Sequence, residues 1–168
     1  MKSILQHFRK TESAPEPPPV VASPPPLPDD LPTGTETVLV AEDEEIIREC
    51  MAATLTQLGY RVIEAADGQE GLLNFQNAPV ARIDLLLTDI VMPKLGGKEL
   101  AHCVSTLSPE TKVIFCSGYP EKLANQNGMI SPSIPFLQKP ISSRSLAFKI
   151  REVLNAGKDL QAHAALDS

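Results

Sequence analysis

Between residues 37 and 155 the chain alternates apolar runs of five residues with stretches whose apolar residues recur every three or four positions. This alternation restricts the fold more than any other feature, because period-free apolar runs suit strands buried on both faces and the longer period suits helices. Thr37-Val38-Leu39-Val40-Ala41 is the first run and ends at acids. Ile47, Met51, Leu55 and Leu58 then mark one face of a helix that Gly59 stops. Arg61 to Ala65 is a second strand, closed by a turn at Asp67-Gly68, and Gln69 to Phe75 makes a short helix with Leu72, Leu73 and Phe75 as its apolar contacts. Asp84 to Thr88 is the third and most hydrophobic strand, running directly into Asp89. Leu100, Cys103, Val104 and Leu107 mark the next helix, ended near Ser108-Pro109. Lys112 to Cys116 is a fourth strand, and Ile134 to Gln138 a fifth whose proline suits an edge. Leu146, Ile150, Val153 and Leu154 mark the closing helix. Five strands alternating with helices imply right-handed crossovers and a doubly wound parallel α/β sheet. Any helix between Tyr119 and Ser133 must be short, because Pro120, Gly128 and Pro132 interrupt it.

Proline sets the N-terminal boundary. Of 16 prolines, nine precede residue 36, and such a segment favours extended, solvated polyproline II over helix or sheet. Residues 1–35 therefore read as a proline-rich tether, residues 36–156 as the folded unit, and residues 157–168 as a frayed tail. A net charge of -6 argues against phosphate-backbone binding, which needs a clustered basic face, so no direct nucleic-acid partner is expected. No apolar run approaches the roughly 18–20 residues that span a bilayer, and the first ten residues lack the pattern of a secretory signal. Cys50, Cys103 and Cys116 are odd in number and widely spaced, which favours buried reduced thiols in a cytoplasmic protein over a disulfide or a zinc site.

In an open α/β sheet, ligands bind outside the carboxyl ends of the strands. After the first strand stand Glu42, Asp43 and Glu44; after the third, Asp89; after the fourth, Ser117; after the fifth, Lys139-Pro140. Crowded carboxylates repel, and a hard divalent cation such as Mg2+ relieves that repulsion. A magnesium ion with a lysine can neutralise a phosphoryl group arriving at a carboxylate, a hydroxyl can hydrogen-bond its oxygens, and an aspartate at the tip of a buried strand is rigidly presented for attack on phosphorus. Each residue has a plainer role when taken alone: Asp43 or Glu44 as a helix cap, Asp89 or Ser117-Gly118 as a turn, Lys139 as a solvated lysine. The weight lies in four strand ends delivering complementary groups.

Four segments carry a resemblance: Val38-Leu39-Val40-Ala41-Glu42-Asp43-Glu44, Leu86-Leu87-Thr88-Asp89-Ile90-Val91-Met92-Pro93, Ser117-Gly118-Tyr119 and Phe136-Leu137-Gln138-Lys139-Pro140. Together they resemble the receiver (response-regulator) domain of two-component phosphorelay signalling. The resemblance implies a flavodoxin-like (βα)5 fold that takes a phosphoryl group from a histidine kinase or histidine phosphotransfer protein. By the family pattern Asp89 is the phosphoacceptor, and Glu42, Asp43, Asp89 and the main-chain carbonyl of Val91 hold Mg2+. Ser117 is then the switch hydroxyl, Lys139 the lysine that meets the phosphoryl group, and Phe136 the switch aromatic. The resemblance also implies a cis peptide at Lys139-Pro140 and a face, around the helix after the fourth strand and the fifth strand, that is remodelled on phosphorylation. Glu42 stands where the family more often has aspartate, and Ser117 where it more often has threonine. Val91 and Tyr119, two residues beyond Asp89 and Ser117, suit a long-lived phosphoryl group shielded from water.

Two other classes compete. One is a pseudo-receiver that uses the fold only for protein interaction. The other is a phosphatase with an aspartate nucleophile, which would need a second carboxylate where Val91 stands. No Gly-rich Walker loop occurs, which sets an NTPase aside. With no DNA-binding motif after residue 156 and no kinase motif in residues 1–35, the chain reads as a single-domain regulator or as the receiver end of a hybrid sensor kinase. The downstream protein, and whether phosphorylation drives a homodimer, are open from sequence.

Overall fold

The computed structural model describes residues 26–78, 82–118 and 135–156. In chain order its elements are β1 (Thr37–Ala41), α1 (Glu45–Gln57), β2 (Arg61–Ala65), α2 (Gly68–Asn77), β3 (Leu85–Asp89), α3 (Gly97–Leu107), β4 (Lys112–Ser117), β5 (Phe136–Gln138) and α4 (Ser143–Asn155). The five strands form one parallel sheet in the order β2-β1-β3-β4-β5, the flavodoxin-like arrangement that the alternation implies. The region from Tyr119 to Ser133, the tail and the first 25 residues lie outside the described residues.

Alternation along the central strands divides the core into two layers. Val38 and Val40 of β1 and Leu85 and Leu87 of β3 face a cluster built with Met51 and Leu55 of α1 and Leu146, Ile150, Val153 and Leu154 of α4. Leu39, Ala41 and Leu86 face the opposite cluster, with Leu100, Ala101 and Val104 of α3 and Leu72 and Phe75 of α2 against it. The central strands are thus buried on both faces, which is why they read as unbroken apolar runs. β5 lies at the edge, where Pro135 costs no ladder bond and its carbonyl accepts from the Phe115 amide.

Several local expectations are corrected. β3 begins at Leu85 and takes in Asp89, and Asp84 precedes it, its carboxylate accepting from the Thr37 amide at 2.9 Å. β4 takes in Ser117, whereas β5 is only three residues long. Asp67 caps α2 through a 2.9 Å bond from the Glu70 amide, and Gly68 is the first helical residue. Leu73 and Leu107 are exposed, because α2 and α3 turn them away from the sheet. Among the thiols only Cys116 is buried; Cys103 is half-buried and Cys50, on α1, is exposed, all three being free.

The last part of the proline-rich segment packs against the sheet's α1/α4 side. Leu31 is buried in that cluster, with Leu27 partly buried against it. Asp30 pairs with Arg144 at 2.8 Å, the Gly34 amide bonds the Leu58 carbonyl, and Glu36 pairs with Arg151 at 2.8 Å.

Candidate functional site

Parallel register brings the carboxyl ends of the strands to one rim. Ala41 lies opposite both Ala65 and Thr88, Asp89 opposite Cys116, and Ser117 opposite Gln138. Glu42 therefore follows β1 beside the end of β3, and the Lys139 amide bonds the Ser117 carbonyl at 2.9 Å, which brings the lysine back over the rim. The Lys139-Pro140 peptide is cis.

Glu42, Asp43 and Asp89 converge there, each offering a carboxylate oxygen within 4.8 Å of the others. Glu42 is fully buried, Asp89 half-buried and Asp43 exposed. The Lys139 ammonium lies 2.8 Å from the Glu42 carboxylate and hydrogen-bonds Oδ2 of Asp89. Burial pushes the Glu42 carboxyl above its usual range, and the nearby Asp89 charge adds to that, against the pull of Lys139. Burial alone would lower the Lys139 ammonium, but its bonds to Asp89 and Glu42 outweigh it and hold the pKa above the ordinary value. Two of the three carboxylates, those of Glu42 and Asp89, thus share one ammonium. Oε2 of Glu42 is buried and, although it completes no hydrogen bond among the described residues, lies 2.8 Å from the Lys139 ammonium. Three carboxylates this close, one of them fully buried, carry more negative charge than the single ammonium offsets, which fits a hard divalent cation of the Mg2+ type.

The neighbouring backbone holds Asp89 in place. The Val91 amide donates to its Oδ1 at 3.0 Å and the Thr88 hydroxyl to its carbonyl at 2.9 Å. A Cβ on Gly97 would fall 1.8 Å from that same carbonyl, so the first residue of α3 must be glycine for the helix to start against the strand. Val91 itself is 77% exposed on the rim. Phe136 is half-buried against the core layer formed with α2 and α3, two strands from Asp89 with β4 between them. Glu44 is the N-cap of α1 yet makes no side-chain capping bond, which removes the cap as the reason for its acidity. Tyr119 lies outside the described residues.

Three contacts at the site escaped the sequence reading. Arg48 donates to the Glu42 carbonyl at 2.8 Å, Thr88 bonds the Asp89 backbone, and Lys94 meets Asp67 at 2.5 Å. Only Asp67 carried a signal, through the Asp-Gly pair, and that pair pointed to a turn.

Residues 38–151 match the family model described as the response regulator receiver domain. The chain is 35% identical over 122 residues to the sensor kinase CckA of Brucella abortus (strain 2308), a match covering 73% of this chain and 13% of that protein. It is 32% identical over 119 residues to the response regulator receiver protein CpdR of the same organism, covering 71% of this chain and 97% of CpdR. Among solved structures, the receiver domain from the hybrid histidine kinase CckA superposes with a TM-score of 0.57 at 35% identity, covering 70% of this chain and 98% of that one. The Vibrio cholerae chemotaxis protein CheY4 superposes with a TM-score of 0.63 at 29% identity, covering 71% and 99%.

Proposed function

The chain belongs to the response regulator receiver family, and from that premise we propose that Asp89 accepts a phosphoryl group from a phosphohistidine on a histidine kinase or histidine phosphotransfer protein. The observation that carries this reading is the meeting of Glu42, Asp43 and Asp89 with the Lys139 ammonium at the strand ends. Glu42, Asp43, Asp89 and the Val91 carbonyl would hold Mg2+, which when bound offsets negative charge on the phosphoryl oxygens. An oxygen of the Asp89 carboxylate attacks phosphorus, the P–N bond to the donor imidazole breaks, and the electron pair leaves with that imidazole. Lys139, already bonded to Asp89, meets the incoming oxygens with its ammonium. Ser117 donates its hydroxyl to the same oxygens, and Phe136 follows into the space it leaves, which shifts the population of the neighbouring face. That face then binds a downstream protein. The domain is a regulator in this reading rather than an enzyme, and it works in the cytoplasm.

The absence of a carboxylate at Val91 supports a slow loss of the phosphoryl group, because no side chain there can deprotonate an attacking water. The test is binding of beryllofluoride, a phosphoryl mimic, followed by amide NMR with and without Mg2+. The reading predicts Mg2+-dependent shifts around Asp89, Ser117 and Lys139 that Asp89→Ala abolishes. A folded chain whose spectrum does not respond would favour the pseudo-receiver.

A further inference from the structure

The loop of residues 90–96, between β3 and α3, carries Val91 and leads back to the helix that starts on the Asp89 carbonyl. Its inner part is tied to the strands: the Ile90 amide bonds the Cys116 carbonyl, and the Gly97 amide bonds the Ile90 carbonyl at 3.0 Å. Its outer turn has a different support. Lys94 adopts φ 64, a left-handed conformation that a side chain disfavours and that persists only where the surroundings impose it. Its ammonium reaches Oδ2 of Asp67 at 2.5 Å. Asp67 is a fixed anchor: it is 5% exposed, and its Oδ1 is already engaged by the Glu70 amide as the cap of α2. Behind the turn the backbone of α2 comes very close, since a Cβ on Gly68 would sit 2.1 Å from the Leu95 carbonyl. The start of α2 therefore backs the turn sterically and holds it by charge.

We propose that Asp67 and Lys94 form a clamp that positions the loop following Asp89, so that the backbone at Val91 is preorganised for the cation site. Neither residue touches the reacting atoms; both are positioning residues, acting through the loop backbone. The inference rests on the reading of Asp89 and Val91 given above, and it adds α2 to the elements that determine the site. An ion pair whose lysine is largely exposed contributes little to stability, so the clamp shows itself in the order of the loop and in metal affinity rather than in the unfolding free energy.

The test uses the full chain with three single substitutions. Asp67→Asn keeps an oxygen for the Glu70 amide but loses the charge that holds Lys94. Lys94→Gly removes the ammonium while relaxing the φ 64 position, so a purely structural role predicts equal or greater order, and the clamp predicts less. Lys94→Arg keeps the charge and restores the behaviour of the unsubstituted chain. Amide hydrogen exchange is read first, without metal: Val91 and Leu95 should exchange at least about threefold faster in Asp67→Asn and Lys94→Gly, with the capped Glu70 amide unchanged. In a Mg2+ titration by NMR the Kd should rise by about 5- to 10-fold in both, near the lower edge of what outer partners of metal ligands contribute. Loop exchange within about twofold of the unsubstituted chain in both variants would overturn the clamp. Failure of the unsubstituted chain to bind Mg2+ would instead overturn the cation site, and the metal-free exchange data would still decide the clamp.

Discussion

Replacing Lys139 by Met keeps the aliphatic stem and removes the one ammonium that, among the described residues, the buried Glu42 carboxylate contacts. Unit charges 2.8 Å apart attract by about 6 kcal/mol at an effective dielectric of about 20. Against this stands the cost of keeping both groups from water, several kcal/mol per ion, for a lysine side chain 14% exposed and a glutamate fully covered. Truncating one partner exposes the other's uncompensated burial, and the balance is a loss of about 3 kcal/mol at pH 7 without metal. Urea unfolding followed by circular dichroism measures it. Two further results distinguish this account from simple loss of packing. Excess Mg2+ should recover part of the loss, because a cation on the carboxylates does the ammonium's work. The loss should also shrink as the pH falls towards the ordinary glutamate range. Glu42 already titrates above its ordinary value through burial, and without Lys139 it titrates higher still. A carboxyl whose folded pKa exceeds its unfolded one destabilises the fold above the folded pKa, and that penalty fades as the pH falls through it towards the unfolded value. A loss below about 1 kcal/mol, or one that does not change with pH or Mg2+, would refute the reasoning.

Other perturbations test the packing around the site. Burial pushes Glu36 up, but hydrogen bonds from Arg151 and the backbone outweigh it and hold the carboxyl at about 2 against an ordinary 4.5. Its contribution is fully present above pH 4.5 and is lost as the pH falls through about 2, so Glu36→Gln should cost about 1–2 kcal/mol at pH 7 and only a small fraction of that near pH 2 in denaturation curves. Leu31→Ala should destabilise by about 2–3 kcal/mol in urea unfolding if the residues before β1 belong to the core, and by almost nothing if they are only a tether. Gly97→Ala forces a methyl onto the Asp89 carbonyl and should weaken Mg2+ binding together with thermal stability; a variant as stable as the parent and equally able to bind metal would contradict the close approach seen there.

The central sheet was legible because its strands are buried on both faces: an apolar run such as Leu85-Leu86-Leu87 has few readings between helical segments, and its register delivers Asp89 to the rim without further information. The acids and Lys139 were legible because they stand at the ends of those runs. What escaped depends on tertiary geometry. Nothing in the order Met92-Pro93-Lys94 says that the lysine folds back onto Asp67, 27 residues earlier. Arg48 reaches a backbone carbonyl, which leaves no trace in the identity of Glu42. Leu73 and Leu107 fit a helical apolar stripe but fall on its margin, where small rotations of α2 and α3 decide burial. The proline-rich composition before β1 concealed Leu27 and Leu31, whose spacing of four matches no regular proline pattern yet serves to cover the α1/α4 layer.

The account's central claim is that Asp89 carries the phosphoryl group. Its most direct test is intact-mass measurement of the full chain after incubation with acetyl phosphate and Mg2+, beside Asp89→Asn. The account predicts the gain of one phosphoryl group in the parent chain, abolished by chelation of the metal and absent from the variant. An equal gain in Asp89→Asn, or none in a folded parent that also fails to take phosphate from a phosphorylated histidine kinase, would contradict it.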